Sequence, residues 1–130
     1  MFQCKDQSGR TVTLNQFPPK RIISIVPSQT ELLYDLGLDE EVIGITKFCV
    51  HPEHWFRNKK RVGGTKNVNI EKVRSLQPDL ILANKEENVK EQIEQLEKIA
   101  PVWISDITTF EDAMQMIKSI GEITNTREKA

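Results

Sequence analysis

Four short apolar runs set the limits on what this chain can fold into. They are residues 21–26 (RIISIV), 41–46 (EVIGIT), 79–83 (DLILA) and 102–105 (VWIS). Each is dominated by consecutive apolar residues, many of them β-branched, rather than by alternation with polar ones. A strand of that kind is buried on both faces, and a parallel sheet covered by helices on each side is the arrangement that does this. The stretches between the runs carry helical patterns, so the chain reads as repeated strand–helix units. With 130 residues there is room for one such core and too little for two.

The connecting segments supply start and stop signals. Residues 28–31 (SQTE) form a capping-box pattern, in which the Ser28 hydroxyl accepts from the amide three residues on and Glu31 reaches back. Leu32, Leu33 and Leu36 make the apolar stripe of that helix, and Gly37 is its natural stop. Asn69 caps a helix through Leu76, with Ile70, Val73 and Leu76 on one face. Residues 86–99 read as a helix with Val89, Ile93, Leu96 and Ile99 inward, stopped by Pro101. A second capping-box pattern at residues 109–112 (TFED) opens a long helix that runs towards Ala130 without a stop signal. Before the first strand, residues 2–14 read as a hairpin about Ser8-Gly9, with Val12 and Leu14 on one side and Thr11 and Thr13 on the other. Residues 47–60 read as loop, with one helical turn after Pro52.

The fold class is therefore α/β: a Rossmann-like, mostly parallel sheet flanked by helices, with an N-terminal β-hairpin and a C-terminal helix. In such sheets ligands sit beyond the carboxyl ends of the strands. Those ends are residues 27–29, 47–49, 84–86 and Asp106, and the Gly63-Gly64-Thr65-Lys66 turn is expected on the same rim. Ser28, Gln29 and Asn84 are the polar candidates there.

Composition excludes several classes. At 38% hydrophobic and 28% charged, the chain is neither disordered nor built of membrane spans. A formal net charge of -1 leaves no basic excess for a phosphate backbone, so nucleic acid is not a partner. Cys4 and Cys49 are the two cysteines, enough for one bridge or two free thiols but not for a disulfide scaffold. Residues 1–6 (MFQCKD) carry no apolar leader.

Four segments in order, RIISIVPSQTELLYDLG, EVIGITKFCVHP, RVGGTKNVNIEKVRSLQPDLILANKEEN and PVWISDITTFEDAMQMI, resemble the N-terminal lobe of the cobalamin- and iron-siderophore-type substrate-binding proteins of ABC importers. The motif Asp6-x-x-Gly9-Arg10 is similar to the start of that family's domain, and the RVGGTKN and DLILANKEEN segments are closest to its cobalamin-binding branch. The resemblance implies a non-enzymatic lobe with no resident cofactor, one of two lobes joined by a long helix with the ligand clamped between them. Because the sequence ends at Ala130, inside the expected connecting helix, residues 1–130 are expected to be a single lobe with its partner lobe absent. The implied ligand is a corrinoid or related metal chelate, and the implied partner is a membrane permease. The family's location is the periplasm or cell envelope, while the missing leader leaves the cytoplasm open.

The candidate site residues follow. Phe48 and Cys49 match a ligand-facing loop of the family. Thr65 and Lys66 are placed to hydrogen-bond the periphery of a bulky ligand, where Gly63-Gly64 lets backbone come close. Trp55 either stacks on a flat ligand or plugs its loop, and Trp103, inside a strand run, belongs to the core. Glu71 is a favourable charge in a helix first turn; by resemblance it is the surface glutamate that docks the lobe onto permease arginines. Glu86 and Glu87 read as a solvated helix start. Gly63-Gly64-Thr65-Lys66 lacks the spacing of a phosphate-binding loop. Two other readings of the residues remain. One is a stand-alone flavodoxin-like interaction or regulatory domain. The other is a metal-dependent enzyme using Cys49, His51 and His54, although Pro52 strains that spacing and structural zinc usually needs four ligands.

Overall fold

The computed structural model describes residues 2–47, 49, 53–86 and 88–126. The chain runs β1 (Phe2–Lys5), β2 (Thr11–Leu14), β3 (Ile22–Ser24), α1 (Pro27–Asp35), β4 (Val42–Ile45), α2 (Glu53–Asn58), β5 (Lys60–Arg61), α3 (Ile70–Leu76), β6 (Leu80–Asn84), α4 (Lys90–Glu97), β7 (Val102–Ser105) and α5 (Phe110–Ile123). The five-stranded sheet has the order β5-β4-β3-β6-β7, and every pair in it is parallel. The four apolar runs thus form one parallel sheet, as their composition predicts.

Strand periodicity divides the core into two layers. Ile22, Leu80, Leu82 and Trp103 face one side, where they pack with Leu33 and Leu36 of α1, Met116, Ile120 and Ile123 of α5, and Val12 and Leu14 of β2. Ile23, Ile25, Ile81, Ala83, Val102 and Ile104 face the other, against Val73 of α3 and Ile93 and Leu96 of α4. Both faces are covered, which is why the strands show no polar alternation.

The β1–β2 hairpin is antiparallel and forms its own two-stranded sheet. Its turn is stitched to β7. The Gln7 amide donates to the Ile104 carbonyl at 2.9 Å, and the Asp106 amide donates to Gln7 Oε1 at 2.9 Å. Asp6 is buried, and its Oδ1 accepts from the Ser8 amide, the Ser8 hydroxyl and the Arg10 amide. Asp6-x-x-Gly9-Arg10 is therefore a turn motif that also covers the outer edge of the sheet, where an unpaired strand would otherwise lie open.

Four sequence expectations are corrected. Helix α1 opens on Pro27 at its first position, with Val26 at the N-cap and no side-chain cap, so Ser28 does not cap it. Proline's fixed φ and missing N–H suit that position. Helix α4 starts at Lys90 rather than residue 86, because Asn84 and Asn88 hydrogen-bond local backbone instead of letting the helix begin. The helical turn expected after Pro52 is helix α2, but the stretch expected to end as loop at Lys60 enters a fifth strand, β5, there. Helix α5 stops at Ile123: Asn125 turns left-handed at φ 61, the Thr126 amide donates to the Gly121 carbonyl, and the Asn125 amide donates to Glu122. That pair of bonds is a Schellman stop. No helix among the described residues is long and apolar enough to cross a membrane.

Candidate functional site

All five parallel strands deliver their carboxyl ends to one edge. There the core changes character. The buried polar residues Ser24, Gln29, Thr30, Thr46, Asn84, Asn88 and Ser105 lie at or just after strand ends, above the aliphatic layers. They form two linked groups. In the first, Thr30 Oγ1 donates to Ser24 Oγ at 2.8 Å, and Cys49 Sγ lies 3.1 Å from Thr30 Oγ1 and 3.2 Å from Thr46 Oγ1. In the second, Ser105 Oγ accepts from Gln29 Nε2 at 2.6 Å and from Asn84 Nδ2 at 2.9 Å. Gln29 Oε1 is buried with no hydrogen-bond partner among the described residues.

Asn88 ties this layer to the loop after β5. Its Oδ1 accepts from the Asn84 amide at 2.7 Å, and its Nδ2 donates to the Thr65 carbonyl at 2.7 Å. That loop is a closed turn, with Gly63 bridging Val68 and the Gly64 amide donating to the Asn67 carbonyl. Gly63 sits at φ 106, and a Cβ there would stand 2.6 Å from the Asn67 carbonyl oxygen. Only glycine fits that backbone without displacing it.

The predicted residues separate into surface and support. Ser28 and Lys66 are exposed and Thr65 is half-buried at the tip of the turn. Gln29, Cys49 and Asn84 are buried beneath them. Phe48 lies outside the described residues. Lys47, Lys66 and Lys85 stand after β4, β5 and β6, so the rim carries cationic groups, with Lys85 Nζ 3.7 Å from Asp106.

Trp55 is not part of this rim. It is 1% exposed, its indole N–H donates to Asp39 Oδ1 at 2.5 Å, and the Tyr34 ring meets it edge-on. Asp39 and Tyr34 lie towards the amino ends of the strands, so Trp55 plugs its loop at the opposite end. Lys59 lies over the same ring; burial pushes its ammonium down, while Asp39 and Glu41 pull it back up. Trp103 is fully buried core, as expected.

Cys49 is packed on hydroxyls, and His54 stacks edge-on with Tyr34, while His51 lies outside the described residues. Among the described residues no cluster of three or more His, Cys, Asp or Glu side chains could hold a metal. Glu71 is exposed in the first turn of α3 and accepts from Arg74 Nη1 at 2.5 Å. Glu86 is exposed in the turn after β6 rather than in a helix, and Glu87 lies outside the described residues.

Ser24, Thr30, Thr46, Asn88 and Ser105 are the residues of this layer that sequence reasoning missed. The available cue was the pair of asparagines four apart after a strand, a residue type that bonds nearby backbone in turns.

The family model described as periplasmic binding protein matches residues 22–130. An uncharacterized ABC transporter substrate-binding lipoprotein, YvrC of Bacillus subtilis (strain 168), is 36% identical over 129 residues, which cover 96% of this chain and 40% of that protein. The petrobactin-binding protein YclQ of Bacillus subtilis superposes with a TM-score of 0.82 at 28% identity, covering 98% of this chain and 46% of that one. The periplasmic vitamin B12 binding protein BtuF of Vibrio cholerae superposes with a TM-score of 0.78 at 27% identity, covering 88% and 45%. The chain thus spans less than half the length of each of these proteins. On the match over residues 22–130, and with the same fold in solved members, the chain belongs to the periplasmic binding protein family.

Proposed function

We propose that the chain is the N-terminal lobe of the substrate-binding component of an ABC importer, acting by binding rather than catalysis. Its rim receives one side of a corrinoid or related metal chelate, and Glu71 docks the lobe on the membrane permease. Its working place is then the outer side of the membrane that holds the permease. The observation that supports this reading is the convergence of five strand ends on one edge, presenting lysines and a closed glycine turn over a buried polar layer. In this reading Ser28, Thr65 and Lys66 meet the ligand with Phe48. Gln29, Cys49 and Asn84 set the surface from beneath. The lysines suit a ligand with an anionic or carbonyl-rich periphery.

One lobe offers one wall. Sites that bind small molecules well bury about 70–90% of the ligand surface, and a single rim leaves one side in water. Calorimetry of the chain with cyanocobalamin, and separately with a ferric hydroxamate chelate, tests this. Binding in the micromolar range or weaker to one of them is expected. Nanomolar binding by the 130-residue monomer would overturn the one-lobe reading. Absence of binding to either by a two-lobe protein containing this lobe would overturn the ligand class.

A further inference from the structure

The turn that carries Thr65 and Lys66 is closed by its own bonds: Gly63 bridges Val68, Gly64 donates to Asn67, and the Asn69 amide donates to the Val62 carbonyl at 2.7 Å. Those bonds shape the turn, and the Lys47 amide after β4 donates to the Gly63 carbonyl at 2.8 Å, which anchors its near end; none of them reaches β3 or β6. Two side chains from the next connection hold its far side. Gln92 Oε1 accepts from the Val68 amide at 3.1 Å, and Asn88 Nδ2 donates to the Thr65 carbonyl at 2.7 Å. Asn88 reaches further. Its Oδ1 accepts from the Asn84 amide at 2.7 Å, and its Nδ2 lies 3.4 Å from the Ile25 carbonyl. One side chain, 6% exposed, thus joins the backbone after β3, the turn after β5 and the end of β6. The Ile25 and Thr65 carbonyls need a donor and the Asn84 amide needs an acceptor. A carboxamide offers both from one short stem.

We propose that Asn88 is the positioning residue of the rim: it holds the turn at residues 63–68 in its receiving geometry before any ligand arrives. Its burial keeps it off the ligand. Its effect is to remove the ordering cost that a loose turn would charge against binding. The proposal rests on the reading that the rim binds a ligand, but its structural half can be tested without one.

The experiment compares the full chain with its Asn88→Asp variant, which keeps the acceptor for the Asn84 amide and loses both donors. Amide hydrogen exchange at Gly64, Val68 and Asn69 is expected to speed up about tenfold, the loss of roughly one net hydrogen bond. Exchange at Ile22 and Ile81 in the central strands should rise only by whatever global stability is lost. Equal acceleration at turn and core amides would make Asn88 a merely structural residue and overturn the proposal. If Asn88→Asp does not fold, Asn88→Ser, too short to span the same carbonyls, gives the same readout. In the ligand arm, cyanocobalamin is the probe, and its dissociation should accelerate about tenfold in the variant. A faster turn with an unchanged dissociation rate would overturn the preorganisation. If the unsubstituted chain binds the ferric hydroxamate chelate rather than cyanocobalamin, that chelate is the probe with the same expected result; if a two-lobe protein containing this lobe binds neither, the ligand reading is overturned instead, and the exchange arm still decides the role of Asn88.

Discussion

Gly63→Ala should be among the costlier single-methyl changes in this chain, and Gly9→Ala supplies its internal control. Both glycines are left-handed, at φ 106 and φ 86. A non-glycine residue in that region costs about 1–2 kcal/mol, offset by about 0.4–1 kcal/mol from a stiffer unfolded chain. At Gly9 nothing lies within 4 Å of the added Cβ, so only that backbone term applies. At Gly63 the Cβ meets the Asn67 carbonyl oxygen at 2.6 Å and the Asn69 nitrogen at 3.2 Å. Both are backbone atoms, so no side-chain rotation relieves the overlap. Both also hold the turn, since Asn67 O accepts from the Gly64 amide and the Asn69 amide donates to Val62. Moving either away sacrifices at least one bond worth about 1 kcal/mol net. Gly63→Ala should therefore cost about 1–3 kcal/mol in total, against about 0–1.5 kcal/mol for Gly9→Ala. Equilibrium urea unfolding of the two variants reads the difference. With a slope of about 1–3 kcal/mol per molar urea, the bond of about 1 kcal/mol lost only at Gly63 should separate the midpoints by roughly 0.3–1 M. Coincident midpoints would show that the turn yields freely and that the close approach at Gly63 carries no cost.

Trp103→Phe should change stability by less than about 1 kcal/mol, because the lost packing is offset by removing an indole N–H that is buried without a partner among the described residues. Trp55→Phe breaks a bond to the Asp39 carboxylate and should cost about 1–3 kcal/mol more in thermal or urea unfolding; the reverse order would refute the assignment. The Asp112 carboxyl is held below its ordinary 3.8 first by the Thr108 amide, then by the Thr108 hydroxyl, with smaller help from Thr109. A depressed folded value means that the unfolded chain binds more protons, so this stabilisation is full above about pH 4 and lost as pH falls through the folded value. Stability measured from pH 5 to 2 should therefore fall less steeply in Asp112→Asn than in the parent, and parallel profiles would remove Asp112 from the acid response. Glu71→Gln should alter stability by less than about 1 kcal/mol, since its pair with Arg74 is exposed. In a two-lobe protein, Glu71→Arg should abolish permease pull-down at low salt with ligand affinity intact, and unchanged association would remove Glu71 from docking.

The strands were legible where burial on both faces wrote consecutive apolar residues into the chain. Residues 102–105 matched the observed strand at both ends. β5 was not legible, because Lys60 and Arg61 are exposed and charged. They enter the sheet through backbone pairing that continues at Val62, whose amide donates to the Ile45 carbonyl. Helix ends failed where two local rules competed. SQTE satisfies a capping box, but Pro27 one residue earlier is the stronger start. Asn125 stops α5 with the left-handed turn usually given to glycine. At the site, the position of the rim was legible from strand polarity. Gln29 and Asn84 were legible as polar residues there, but the depth of the polar layer was not, because Gln29 and Thr30 look like the exposed first turn of a helix and are fully buried.

That failure has a physical origin. An aliphatic layer continued to the carboxyl edge would be cheaper to build, since a buried hydrogen bond returns only about 0.5–1.5 kcal/mol net and an unpaired acceptor such as Gln29 Oε1 costs about 1–3 kcal/mol. Such groups are nevertheless concentrated at this one edge, joined by Ser105 to Gln29 and by Asn88 to the Ile25 carbonyl into links between strands that are not neighbours in sequence. A polar layer of this kind fixes the relative heights of loops, because directional bonds specify geometry that aliphatic contacts leave soft. The aliphatic core, which any apolar pattern announces, makes the sheet. The polar layer, whose residues look individually like caps and surface, makes the edge of that sheet into a surface of defined shape.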